Sequence, residues 1–180
     1  MDWTRLKRLT TPSIDVVSIA TARDHLRVAH NLDDTLIDRL IDTAIAVIEG
    51  PTGAGIPLLL SRWQLTLDHL PRCIDLDLCP VASVDKITVD GVTLDPTTYV
   101  VDIDSTPARI VLCHHTTSCL KLGSVKVEFT AGYETIPADL VHAILMLVAH
   151  FYEHREAASA VDLKDVPFAV NAILARYRAY

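Results

Sequence analysis

The stretch from Leu140 to Tyr152, LVHAILMLVAHFY, is apolar on nearly every side of a helix and is broken only by His142 and His150. A helix of this kind is stable in water only where something wraps it all round, either its own domain or neighbouring copies of the chain. It falls well short of the ~20 apolar residues that a bilayer span requires, so protein rather than lipid is the expected wrapping. The chain has 180 residues, 50% of them apolar, enough for one compact core or two small ones. An eightfold α/β barrel, at roughly 250 residues, is excluded. Gly and Pro are too scarce for a collagen-like or largely disordered chain.

Other helical stretches flank this one. Ser18 suits the N-cap of a run in which Ile19, Ala22, Leu26 and Ala29 keep helical spacing. Asp33 suits the cap of a second run, residues 33–49, where Leu36, Ile37, Leu40, Ile41, Ala44, Ile45 and Ile48 follow the i, i+3, i+4, i+7 rule until Gly50-Pro51 stops it. Pro137 suits the first turn of the long apolar helix. A last helix is expected over roughly 167–177. Between Pro57 and Gly132 the period drops to two, as in Trp63, Leu65, Leu67 and in Ile74, Leu76, Leu78, which predicts antiparallel sheet. Asp90-Gly91, between Ile87-Thr88-Val89 and Val92-Thr93-Leu94, predicts a two-residue hairpin turn, because both residues tolerate the positive φ of type I′. Tyr99–Asp102, Ala108–Leu112 and Ser124–Phe129 supply further strands. The fold class is therefore α+β: a discontinuous helical bundle, two N-terminal and two C-terminal helices, with an inserted antiparallel β-rich domain. The expected boundaries are 1–57 and 134–180 for the two helical halves and 58–133 for the insertion.

The charge balance narrows the partners. Sixteen Lys and Arg against 23 Asp and Glu give a net charge of −7, whereas a protein that grips nucleic acid clusters cations on phosphates. DNA can pass such a surface without being held. The N-terminal MDWTRLKRLTTPSIDVVSIA has basic residues but no apolar block before a small-residue cleavage site, so no secretory signal is expected and the chain should stay in the cytoplasm where it is made. Cys73, Cys79, Cys113 and Cys119 are then expected as free thiols.

Candidate chemistry is sparse. His150-Phe151-Tyr152-Glu153-His154 matches the H-x-x-E-H arrangement of inverted zinc proteases, two imidazoles one helical turn apart with a carboxylate base. No later His can supply a third ligand, and packing of His150 with solvent exposure of Glu153 and His154 is the plainer reading. Cys113-His114-His115 with Cys119 lacks the C-x2-4-C knuckle of zinc modules. Gly50-Pro51-Thr52-Gly53-Ala54-Gly55 leads into Ile56-Pro57 and a strand rather than Lys-Ser/Thr and a helix, so it is no phosphate loop. Neither a catalytic nor a metal-binding set is assigned, and no cofactor is expected.

Laid end to end, the segments SIATARDHLRV, DDTLIDRLIDTAIAVIEGPTG, WQLTLDHLP, LCPVASVDKITVDGVTLDPTTYVVD, VKVEFTAGYETIPADLVHAILMLVAHFYEHREA and LARYR resemble the head-tail connector (adaptor) proteins of tailed bacteriophages, also found in prophages and gene transfer agents. The resemblance runs from Val17 to Tyr177, and FTAGY, IP, the long helix and YEHRE in succession carry it best. Cys113–Cys119 replaces a loop of Trp-Pro type, and His154 stands where Asn is usual. The resemblance implies a non-enzymatic assembly part of the virion neck, built in the bacterial cytoplasm. It implies a dodecameric ring that docks on the portal, prolongs the DNA channel without specific DNA binding, and meets the next neck or tail-completion protein. By analogy Phe168, Leu174, Arg176, Tyr177, Arg178 and Tyr180 are the candidate portal-docking residues, and Leu140, Ile144, Leu147, Phe151 and Tyr152 the candidate subunit contacts. No membrane is involved. The competing readings are a metal-dependent hydrolase built on His150, Glu153 and His154, and a tail-completion protein at another level of the neck.

Overall fold

A computed structural model describes residues 5–10, 15–49, 53–113, 121–154 and 168–178. The chain divides into two compact units: Met1–Ser13 with Pro57–Glu134, and Ile14–Ile56 with Thr135–Arg178. The β-rich unit interrupts the helical one along the sequence.

The helical unit contains α1 (Ile19–Leu26), α2 (Asp34–Glu49), α3 (Ala138–Glu153) and α4 (Phe168–Leu174). Ser18 caps α1 as its sequence suggests, its hydroxyl accepting from the Thr21 backbone N–H at 3.1 Å. Arg27 ends the helix in the left-handed region, φ 58°, and its N–H returns to carbonyls of the last turn. In α2 the predicted stripe is the buried one: Ile37, Ile41, Ala44 and Ile48 point inward while Asp38 and Asp42 face solvent. The stop signal Gly50-Pro51 lies outside the described residues. Pro137 stands one residue before α3 rather than inside its first turn, since its backbone is extended and helical dihedrals begin at Ala138.

α3 packs against α1, α2 and α4. Its Leu140, Ala143, Ile144, Leu145, Leu147 and Val148 are buried, and its polar interruptions sit at the margins. His142 is exposed and meets His25 of α1 edge-on, with ring centroids 6.1 Å apart. The wrapping that the apolar run demands comes largely from the protomer's own helices. α4 contributes Val170 and Leu174 to the interior and is shorter than the expected 167–177; residue 167 lies outside the described residues.

The β-rich unit is built from two antiparallel sheets, where the sequence suggested only sheet in general. The larger comprises β1 (Leu6–Arg8), β2 (Ser61–Leu67), β8 (Val125–Ala131), β4 (Val81–Val89) and β5 (Val92–Thr93), in that order. The smaller orders β3 (Cys73–Leu76), β7 (Ala108–Leu112) and β6 (Tyr99–Asp102). Alternation decides the inner faces: Trp63, Ile87, Val127 and Phe129 from one sheet and Ile74, Leu76, Ile110 and Leu112 from the other share one apolar core. The β4–β5 turn has Asp90 at φ 50° and Gly91 at φ 85°, the two positive values that the predicted turn requires. Gly132 ends β8 at φ 123°, where a Cβ would stand 2.3 Å from the Leu59 carbonyl oxygen, so only glycine lets the two backbones meet.

One boundary is corrected. The first helical half does not extend over all of the expected 1–57, because Leu6–Arg8 is an edge strand, with Leu6 opposite Leu65 and Arg8 opposite Trp63. The Arg8 guanidinium lies 5.1 Å from the centre of the Trp63 ring and donates to Ser61 Oγ at 3.1 Å. A strand of three residues leaves too little alternation to be seen in sequence.

Because Ile144 and Leu147 are fully buried, truncating either to Ala should cost about 2–5 kcal/mol. Phe168→Ala, at a side chain 89% exposed, should stay within about 0.5 kcal/mol. Urea unfolding followed by helical circular dichroism measures both.

Candidate functional site

The candidate docking residues near the C-terminus separate into three kinds. Phe168 stands out into solvent at the start of α4. Leu174, on the opposite face of the same short helix, is 2% exposed and belongs to the protomer core, so its side chain is unavailable to a partner while α4 stays docked. That is a correction, and its cause is helical geometry: Val170 and Leu174, four apart, share the buried face. Arg176 and Tyr177 converge on Asp139 in the first turn of α3. The Tyr177 hydroxyl donates to Asp139 Oδ1, and Arg176 Nη1 lies 3.3 Å from Oδ2. The Tyr177 hydrogen bond holds the Asp139 carboxyl below its ordinary range, and the same bond pushes the Tyr177 phenol up. Arg178 is exposed, and Tyr180 lies outside the described residues.

The candidate subunit contacts divide in the same way. Leu140, Ile144 and Leu147 are fully buried in their own unit and are core, not contact surface. Their spacing marks an inner stripe, and sequence periodicity cannot tell an inner stripe from an interface. Phe151 and Tyr152 are half-buried at the end of α3. Tyr152 Oη donates to the Asp33 carboxylate just ahead of α2, tying the ends of two helices together. Asp33 also supplies the carbonyl that accepts from the Ile37 N–H at 2.8 Å as α2 begins.

The metal candidates do not assemble into a ligand set. His150 and His154 have ring centroids 4.7 Å apart with the rings tilted by 35°, and His154 Nδ1 lies 2.9 Å from the His150 carbonyl oxygen. Among the described residues no three His, Cys, Asp or Glu side chains converge as a metal site would require. Cys73, Cys79 and Cys113 are free thiols, Cys79 being half-buried, while His114, His115 and Cys119 lie outside the described residues. Burial, and then the charge of Asp75, push the Cys73 thiol up, away from a reactive thiolate. No described helix is long and apolar enough to cross a membrane.

The comparisons with known proteins give these surfaces a frame. The head completion protein family model matches residues 15–180. The chain belongs to the head completion protein family. Among curated proteins, none matches the sequence. Among solved structures, the fold is similar to a chain in the neck of an empty GTA particle computed with C6 symmetry, with 26% identity and a TM-score of 0.76, covering 96% of this chain and 94% of that one. It is similar at 25% identity and a TM-score of 0.74 to chains in the virion of a native gene transfer agent particle and in the neck of a native GTA particle computed with C12 symmetry, each covering 96% of this chain and 94% of that one. The resemblance read from the sequence is thus borne out in family and in fold, and head completion is the frame for the surfaces above.

Two surfaces of this head completion protein escaped the sequence reading. The outer face of the smaller sheet bears Val100 and Val111, while Val92 opens β5 and Leu122 stands in the turn ahead of β8, all exposed aliphatics. Strand pairing sets Val100 opposite Val111, an adjacency that alternation within one strand does not give.

The Asp139 contact gives a pH dependence. A carboxyl lowered in the folded state contributes stability that is fully present above its ordinary value of about 3.9 and is lost as pH falls through the folded value. The raised Tyr177 phenol contributes below about 10 and loses its part as pH rises through the folded value. Amide hydrogen exchange over residues 168–178 should therefore quicken on acidification relative to α2, and Tyr177→Phe should remove most of that difference.

Proposed function

We propose that this protein is a non-enzymatic ring component of the head-tail neck, which docks beneath the portal, prolongs the DNA channel and offers its far side to the next neck or tail-completion protein. The observation that carries this reading is the family match along residues 15–180, together with neck structures that share the fold over 96% of the chain. Physical features of the chain agree with it. A net charge of −7 suits a wall past which DNA slides, because negative charge repels the phosphate backbone instead of gripping it. Each copy would present surfaces to other copies and to the portal, and the number of copies we propose is twelve, as in the C12 neck that the fold resembles.

The C-terminal segment is the proposed portal anchor, in a form revised by the burial pattern. Phe168 supplies an exposed aromatic, the kind of residue that dominates interface energetics once it enters a pocket. Arg176, 71% exposed despite its contact with Asp139, and Arg178 would meet acidic groups and steer the approach. Leu174 instead holds α4 to its own unit. Phe151 and Tyr152 are the parts of α3 proposed to face a neighbouring copy.

Mass in solution, measured with and without portal rings, tests the reading. The full chain should appear as a ring or join the portal as one, and Phe168→Ala combined with Arg178→Ala, which leaves the buried Val170 and Leu174 in place, should weaken docking at least tenfold. Undiminished portal binding by that double variant would remove the C-terminal anchor from the account. Mixing with tail tubes in place of portal rings separates the tail-completion alternative.

A further inference from the structure

Two bare apolar patches lie on different parts of the β-rich unit, and neither has a role so far. The first is a tip at the end of the larger sheet, where Leu122 is 88% and Val92 69% exposed. The tip is tied down from several directions. Lys121 Nζ lies 2.9 Å from Asp90 Oδ1, the Asp90 N–H donates to the Ser124 carbonyl, and the Lys121 N–H donates to the Asp68 carbonyl. The Gly123 N–H donates to Asp68 Oδ1 at 2.9 Å, and Arg5 pairs with the same carboxylate at 2.6 Å. A loop already ordered this way loses little freedom on docking, so its aliphatics are well placed to act as an anchor.

The second patch is a row across the outer face of the smaller sheet. The register sets Cys73 opposite Val111 and Val111 opposite Val100, and all three side chains are exposed. Val100 is 61% exposed. Beside the row Arg109 lies 3.0 Å from Asp102, and the Cys73 thiol donates to Asp75 Oδ1 at 3.7 Å.

We propose that copies of this chain join through these patches, the Val92–Leu122 tip of one copy seating on the Cys73–Val111–Val100 row of the next. The occupant follows from charge and symmetry. A chain of net charge −7 repels its own copies over most of its surface, so contact between copies favours places where charge is cancelled internally. Lys121 against Asp90 and Arg5 against Asp68 balance the tip, and the row itself carries no charge. This also disfavours nucleic acid, which would need cations not already committed to carboxylates. A ring is built from head-to-tail contacts that use two different patches of each copy, and this unit supplies two. The inference rests on the ring reading given above and adds the surfaces that close the ring.

The test is a cross-link in the assembled ring, formed alone or on co-expressed portal. With Cys113 and Cys119 changed to Ser, Leu122→Cys treated with copper phenanthroline as oxidant should give a ladder of disulfide-linked copies on a non-reducing gel. The ladder should vanish when Cys73→Ser is added. A ring that yields no ladder, or a ladder that survives Cys73→Ser, overturns this contact and leaves the ring reading standing. If the unaltered chain forms no ring under either condition, the ring reading falls and the contact with it. Leu122→Asp, at a site exposed in the monomer, should leave the urea midpoint unchanged and raise the concentration needed for assembly at least tenfold. Assembly of that variant at the unaltered chain's concentration would also overturn the proposal.

Discussion

A helix of 16 residues that is apolar on almost every side has to be enclosed, and the helical unit is organised around that need. α1, α2 and α4 each pack on α3, although they come from both ends of the chain. The β-rich segment is accordingly an excursion between two halves of one bundle, and the bundle cannot be complete until the last helix has been made. Enclosure also explains why Leu140, Ile144 and Leu147 are unavailable to neighbouring copies. The burial that each supplies inside the protomer is worth a few kcal/mol, more than a rim contact between subunits usually contributes.

The β-rich unit solves the same problem with a different period. Two sheets of unequal size face one another across Trp63, Phe129, Ile110 and their neighbours, and alternation sends every second residue outward. On the larger sheet the outward residues form a charged lattice in which Arg62 reaches Asp85 and Glu128, and Lys86 reaches Glu128. On the smaller sheet part of that outward set is aliphatic. A unit whose exposed faces differ this sharply is suited to making unlike contacts on its different sides, as the ring proposed above would require.

Much of the architecture could be read from the chain. The cap of α1, the stripe of α2, the Asp90-Gly91 turn and most strands follow from local rules about dihedral preference and side-chain direction. β1 could not be read, because three residues carry no period, and its place is set by pairing with β2, more than fifty residues away. The split into two sheets was equally hidden, since alternation says that a strand has an inner face but not which partner lies beside it. Asp139 offered no sequence signal as the partner of Arg176 and Tyr177, which lie 37 and 38 residues away in sequence.

Composition and pattern alone were enough to establish an acidic α+β chain with interrupted helices and a familiar order of motifs, because those properties reside in neighbouring residues. Which apolar side chains are core and which are surface was decided only in three dimensions. Phe168 and Leu174 lie on one short helix and look alike as candidates in the sequence, yet one is almost bare and the other almost wholly enclosed. The physical reason is that burial depends on which elements meet, a property of the chain's long-range contacts, whereas helix, strand and turn preferences are settled within a few residues.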